Sequence, residues 1–364
     1  MTIVRQPSPF QPYGSAMAAF TATLRYFWGS IAFTLVSLVL AWFVGLEYGK
    51  TIAAALSTLF IVAVLAVLEI SLSFDNAVVN AKVLRTMPPI WQRRFLTWGI
   101  LIAVFGMRIV FPLLIVGIMA EVSPWQALVL AATQPEEYAR IMNAAHVSIA
   151  AFGGTFLAMV GLKFFFDVNK DVHWVRLVEE PLTKLGKIEA VEIALVMILL
   201  YGISRLLPEA AVLPFILSGM LGIITFVAVE GVSALMGVDE EGSAMVAKSG
   251  FASFLYLEVL DASFSFDGVI GAFALTNNLF IIALGLGIGA MFVRSLTIML
   301  VEKGTLSAYR YLEHGAFWAI LALAALMLVG SVTHIPEVIT GLIGAILIIL
   351  SFASSIRQNR RDGV

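Results

Sequence analysis

The stretch LEISLSFDNAVVNA, Leu68–Ala81, decides how the chain is read. It lies within a long apolar run, yet it carries Glu69, Asp75 and Asn76. A carboxylate at the bilayer centre costs roughly 2.5–3.5 kcal/mol on insertion scales. Groups that costly persist where they face partners inside a helix bundle, which makes them functional candidates.

The surrounding composition supports a bilayer as the solvent. The 364 residues are 60% hydrophobic and 13% charged, with a mean hydropathy of +0.98. A soluble domain carries about 25% charged residues, so the chain reads as a polytopic membrane protein. A net charge of −2 gives no ground for a nucleic-acid partner. There is no cysteine, so any metal site must use oxygen, imidazole or thioether ligands. Residues 1–24 lack the compact apolar core of a signal peptide and read as a tail.

A span needs about 20 mainly apolar residues. Ten runs qualify: 28–48, 52–83, 96–120, 146–167, 189–206, 212–235, 250–276, 279–301, 314–333 and 336–355. With the N-terminus inside, sixteen of the 22 Lys and Arg residues fall on inside segments. Only Lys50, Arg140 and Arg205 fall outside, and Arg108, Lys163 and Arg294 lie within spans. That bias follows the positive-inside rule. It predicts two cytoplasmic termini and an outside loop at 121–145.

The opening stretch occurs twice. LEISLSFD (Leu68–Asp75) returns as LDASFSFD (Leu260–Asp267), with Asp261 in the place of Glu69. Arg108 follows in the span after the first copy, and Arg294 in the span after the second. His146 opens the fourth run and His314 the ninth. The copies start five spans apart, an odd number, so the second half runs through the membrane inverted. The expected fold is all-α: a transmembrane bundle of about ten spans in a 5+5 inverted repeat. The expected division is a cytoplasmic tail (1–27), a first repeat (28–206), a second repeat (207–355) and a C-terminal tail (356–364). Such repeats build transporters with a site near the midplane.

On an ideal helix Glu69, Ser73 and Asn76 share one face, and Ser71 with Asp75 lie on another. Asp261, Ser265 and Gly268 repeat the first stripe, and Ser263 with Asp267 the second. Glu258 adds a carboxylate one turn before Asp261. For Glu69 and Asp75 to reach one ion, the helix should be unwound around Ser71–Ser73, and Asn76 and Gly268 suit a break. The candidate ligands are Glu69, Asp75, Asn76, Asp261, Asp267, Glu258, Ser73 and Ser265, with Arg108 and Arg294 as charge compensators. Hard oxygen donors suit Mn²⁺, Mg²⁺ or Ca²⁺. Protons are a candidate counter-ion. A buried salt-bridge network of the same carboxylates with the two arginines is compatible with this. His146 and His314 read first as interfacial residues, and His173 and His334 as loop residues. GLGIG (Gly285–Gly289) lies within a span with no strand before it, so it reads as close helix packing rather than a nucleotide loop.

At these residues the chain resembles the TerC family of integral membrane proteins, which is related to tellurium resistance and belongs to the LysE-like exporter superfamily. The first motif, Glu-x-x-Leu-Ser-x-Asp-Asn, is met by Glu69, Leu72, Ser73, Asp75 and Asn76. The second, Asp-x-x-Phe-x-x-Asp, is met by Asp261, Phe264 and Asp267. The likeness is clearest over 55–165 and 250–330. It departs after Asp267, where Gly268, Val269 and Ile270 replace the family's Ser and Pro. The resemblance implies a divalent-metal exporter, manganese favoured, in a bacterial inner membrane. The alternative is a non-transporting assembly or stress-complex factor. An intramembrane aspartyl protease fits less well, because no Gly-x-Gly-Asp motif is present. No enzyme activity and no resident cofactor are expected.

Overall fold

The computed structural model describes residues 16–188, 190–237, 243–333 and 335–362, with side chains described throughout these except at 16–22, 233–237, 243–249, 266–267 and 337–338. The described residues are helical throughout, with no strand. The first half runs α1 (Ala16–Gly49), α2 (Ile52–Leu72), α3 (Phe74–Thr86) and α4 (Pro89–Arg94), then two π-helical segments, Phe95–Gly99 and Ile102–Val110. It continues with α5 (Phe111–Met119), α6 (Pro124–Thr133), α7 (Pro135–Ala144), α8 (His146–Phe166), α9 (Arg176–Leu185) and α10 (Val191–Ser204). The second half holds α11 (Glu209–Gly237), α12 (Ser243–Ala272), α13 (Leu279–Glu302), α14 (Thr305–Ala308), α15 (Leu312–Gly330) and α16 (Glu337–Asp362).

Every apolar run of the sequence falls on one or more helices, and among the described residues eight helical stretches, against the ten runs, are long and apolar enough to cross a bilayer. The two that fall short do so for different reasons. With 14 residues, α10 spans about 21 Å at 1.5 Å per residue. The 30 residues of α12 give ample length, but its acids and serines dilute the apolar run. The expected loop at 121–145 is a pair of short helices, α6 and α7. Ser123 caps α6 through a reciprocal bond with Gln126, and Tyr138 of α7 is buried against Phe273.

Helices from the two halves interleave. In the first half α8 is the central helix, with 78% of its apolar window buried, and in the second α13 is central, with 72%. The former packs against α11 and α15, and the latter against α1, α2 and α3. Small residues permit this. Gly285 and Gly289 of α13 lie against Leu65 and Glu69 of α2, with no room for a Cβ. GLGIG therefore serves close packing. Leu35, Val39 and Phe43 of α1, and Leu342, Ile346 and Ile349 of α16, face outward, as a lipid-contacting surface requires.

Candidate functional site

The break in the first motif lies at Ser73, within the interval that the sequence indicated. It is a kink rather than an unwound segment: α2 ends at Leu72, Ser73 has φ −103° and ψ 16°, and α3 starts at Phe74. The Ser73 N–H still donates to the Glu69 carbonyl at 3.0 Å, and the Ser73 carbonyl accepts from Ala77 at 3.1 Å. No break occurs at Gly268, and α12 is continuous through it. Glycine's tendency is overridden there because the helix is packed along its length against α8, α11 and α3.

Two small cavities meet at Glu69. The first, which we term the arginine cavity, is bordered by Glu69, Ser73, Asn76, Asn80, Arg108, Asp261, Ser265 and Arg294. It gathers most of the sequence-derived candidates from both motif copies. The second, the aspartate cavity, is bordered by Glu69, Ser73, Asp75, Gly268 and Thr340. Each offers about 20 Å³ of space, enough for about one water-sized guest.

Carboxylate–guanidinium couples organise the arginine cavity. Arg108 Nη2 is ion-paired and hydrogen-bonded to Glu69 Oε1. Ser73 Oγ donates to the same oxygen at 3.3 Å. Arg108 Nη1 donates to Ser265 Oγ at 3.0 Å and to the Ala103 carbonyl at 2.6 Å. In the second copy Arg294 Nη1 lies 4.0 Å from Asp261 Oδ2, and its guanidinium stacks 3.7 Å above the Phe95 ring. Asp261 Oδ1 accepts from Asn80 Nδ2 at 2.7 Å. Each motif thus sends its first carboxylate to the arginine of the following span.

The π-helical segments set the third span's aim. A π-turn is wider by one residue than an α-turn, and such turns recur at functional sites. Here the segment with Arg108 packs on α12 and α13, and Phe95 and Gly99 lie against Arg294 of α13. Gly99 is where Arg294 and Glu258 enter the third span: a Cβ there would lie 2.5 Å from Arg294 Nη2 and 2.7 Å from Glu258 Oε1.

The remaining candidates separate. Asp75 is 4% exposed and faces the aspartate cavity, where it accepts from the Asn76 N–H at 2.9 Å. Glu258 is buried beside Arg294 and Gly99, and neither of its carboxylate oxygens is hydrogen-bonded. The side chain of Asp267 lies outside the described residues, as does His334. Ser71 is exposed and donates to Val67 O, and Ser263 donates to Val259 O within its own helix. His146 borders a larger vestibule. Among the described residues, no three His, Asp or Glu side chains converge on one point, and Asp75 and Glu258 lie outside the border of the arginine cavity.

Two residues of importance were not singled out in the sequence. Asn80 extends the Glu69–Ser73–Asn76 stripe by one more turn, a signal that helical spacing contains. Glu179 has no such signal. It is fully buried at the end of the bundle, where it accepts from the Trp174 and Val175 N–H groups, both at 3.1 Å, and from Trp318 Nε1 at 3.0 Å. Lys170 Nζ lies 3.3 Å from it and His314 Nε2 3.5 Å. Burial pushes its carboxyl up, but the bonds from Trp318 and Val175 and the nearby His314 and Lys170 outweigh this and hold it below the usual carboxylate range. His314 also meets the Val172 carbonyl at 2.7 Å, so it belongs to this clasp.

The fold and site define an integral membrane helical protein with a buried, arginine-compensated carboxylate core. Residues 74–362 match the family described as "Protein of unknown function (DUF475)", and the chain belongs to that family. No curated protein and no solved structure matches the chain.

Proposed function

We propose that this protein is a transporter that exports a divalent cation, Mn²⁺ favoured, through a midplane carboxylate site shared by two inverted five-span repeats. One observation carries the reading: the repeated motifs, far apart in sequence, send Glu69 and Asp261 to the same buried cavity, each coupled to the arginine one span on. The packing supports the repeat. Contact of α2 with α13 has its counterpart in contact of α12 with the π-helical third span, and α8 meets its equivalent α15 directly. Charge supports the cargo. Among the described core residues, the four carboxyl groups Glu69, Asp75, Glu258 and Asp261 outnumber Arg108 and Arg294 by two, a formal excess of two negative charges when all are ionised. One divalent cation or two protons would balance it. Exchange of metal for protons at these oxygens would then keep the core neutral throughout a cycle. The likeness to the TerC family points the same way and implies a bacterial inner membrane, and the Lys and Arg bias supports cytoplasmic termini.

Purified protein in proteoliposomes, assayed with Mn²⁺, Mg²⁺ and Ca²⁺, tests the proposal. Flux of at least one ion, lost in Asp261→Asn, is expected. A non-transporting assembly factor would show no flux and would tolerate the neutral substitution in cells.

A further inference from the structure

Among the described residues, a series of neighbouring spaces leads from the arginine cavity towards one end of the bundle. A vestibule of about 380 Å³, bordered by Asn143, His146, Gly271, Met327 and Thr340, opens at the end of the bundle where α8 begins and α15 ends. Thr340 also borders the aspartate cavity. Three helices carry the wall from one space into the other within about a turn: α12 from Gly268 to Gly271, α15 from Leu323 to Met327, and α16 from Gly344 to Thr340. The aspartate cavity then shares Glu69 and Ser73 with the arginine cavity.

The other face is different. A cleft of about 380 Å³, bordered by Lys82, Val83, Lys163, Tyr256 and Phe317, lies where α8 ends and α15 begins. It shares no bordering residue with the arginine cavity. Asn80 and Asp261, hydrogen-bonded to each other, border the arginine cavity, and along α12 the almost fully buried Leu257 and Leu260 separate Asp261 from Tyr256 of the cleft.

The aspartate cavity has the donors for a cation. Asp75 is 4% exposed, and no side-chain donor or cation reaches it among the described residues. Glu69 Oε1 is taken by Arg108. Its Oε2 points towards Gly268, where a Cβ would come within 3.0 Å. The small residue at 268 thus keeps this oxygen accessible to the cavity. Ser73 and Thr340 add hydroxyl oxygens. Two carboxylates and two hydroxyls in a space for one small guest suit a largely dehydrated hard cation.

We infer that Asp75, Glu69 Oε2, Ser73 and Thr340 form an outer cation subsite, reached from the vestibule through Thr340, while the opposite face is closed by Asn80 and Asp261. This rests on the proposed cation reading and adds to it a residue from the last helix, a subsite and a side of access.

The chain has no cysteine, so single-cysteine variants report access directly. Thr340→Cys, Ala274→Cys at the vestibule and Val83→Cys at the cleft are treated with a membrane-impermeant methanethiosulfonate from either face of sealed vesicles. Thr340→Cys and Ala274→Cys should react only from the face that carries Asn143, and Val83→Cys only from the other. At Mn²⁺ ten times its dissociation constant, modification of Thr340→Cys should slow about tenfold, and the slowing should vanish when Asp75→Asn is added. Reaction of Thr340→Cys from both faces, or from neither while Ala274→Cys reacts, overturns the route and leaves the cation reading standing. One-sided reaction with no slowing by Mn²⁺, Mg²⁺ or Ca²⁺ overturns the subsite. If proteoliposome flux is also absent, the cation reading fails with it.

Discussion

Glu179 and the carboxylates of the membrane core are equally buried, and their surroundings could hardly differ more. Three N–H donors, the Lys170 ammonium and the His314 imidazole surround Glu179. In the core, neither oxygen of Glu258 is bonded, and Asn76 Oδ1, Asn80 Oδ1, Arg108 Nε and Arg294 Nη2 are also left without partners. Native proteins satisfy nearly all buried polar groups, so each exception asks for a reason. Both carboxylate oxygens of Glu179 are hydrogen-bonded, and the residue joins α9, α15 and the 167–175 connection. In the core, by contrast, both acceptors of Glu258 stay unbonded, as the proposed cation site would require.

The contrast predicts opposite phenotypes. Asp75→Asn and Asp261→Asn each remove one core charge at nearly constant volume. Each should reduce flux by orders of magnitude while the protein still inserts and purifies as a folded species. Glu179→Gln should do the reverse, with flux retained and stability lost. Equal damage to flux from all three would break the comparison.

Next in size is Arg108→Gln. It strands Glu69 in the bilayer, and removing one partner of a buried pair costs about 3–5 kcal/mol. Thermal unfolding in detergent should show a lower midpoint. Adding Glu69→Gln should restore much of the loss, because the stranded charge is then gone. A double variant as unstable as the sum of the two would mean that the residues are not coupled.

Glu179→Gln comes third, at about 3 kcal/mol, and carries a pH signature. Because the folded-state carboxyl is held below the usual range, its contribution is fully present above the unfolded value of about 4.3. It is lost as pH falls through the lower folded value. The wild-type midpoint should therefore drop below about pH 4 by more than that of Glu179→Gln. Parallel pH profiles would show that Glu179 is not charged in the clasp.

Local patterns made the helices and most of the arginine cavity legible. Apolar runs gave their positions, and helical spacing put Glu69, Ser73 and Asn76 on one face with both arginines nearby. What stayed hidden depended on tertiary context. Nothing periodic announces the π-turns that aim Arg108. HWVRLVEE (His173–Glu180) reads as a solvated loop, and only its docking under Trp318 buries Glu179. Thr340 sits in the last helix, far from either motif, and gains meaning only where α16 crosses α12 and α15. The separation of Asp75 from Asn76 was hidden for a related reason: a kink at Ser73 that preserves the helical bonds leaves the two facing different cavities.

The smallest effect tests the rule at its other limit. Lys163 lies within the fourth span, and its Nζ is 3.0 Å from Glu230 Oε2, a geometry no worse than the core pairs. Both side chains are substantially exposed, at 54% and 38%. If distance alone decided importance, Lys163→Gln would match Arg108→Gln. Exposure should decide instead. An accessible pair gains little over its separate solvated groups and is typically worth about 0.2–1 kcal/mol. Lys163 also has a long apolar stem that lets its ammonium reach the interface without its partner. Lys163→Gln should therefore lower the thermal midpoint by no more than a degree or two (about 0.5 kcal/mol in a chain of this size) and leave flux unchanged. A loss as large as that of Arg108→Gln would place Glu230 and Lys163 in a water-poor environment and erase the distinction drawn between surface and core pairs.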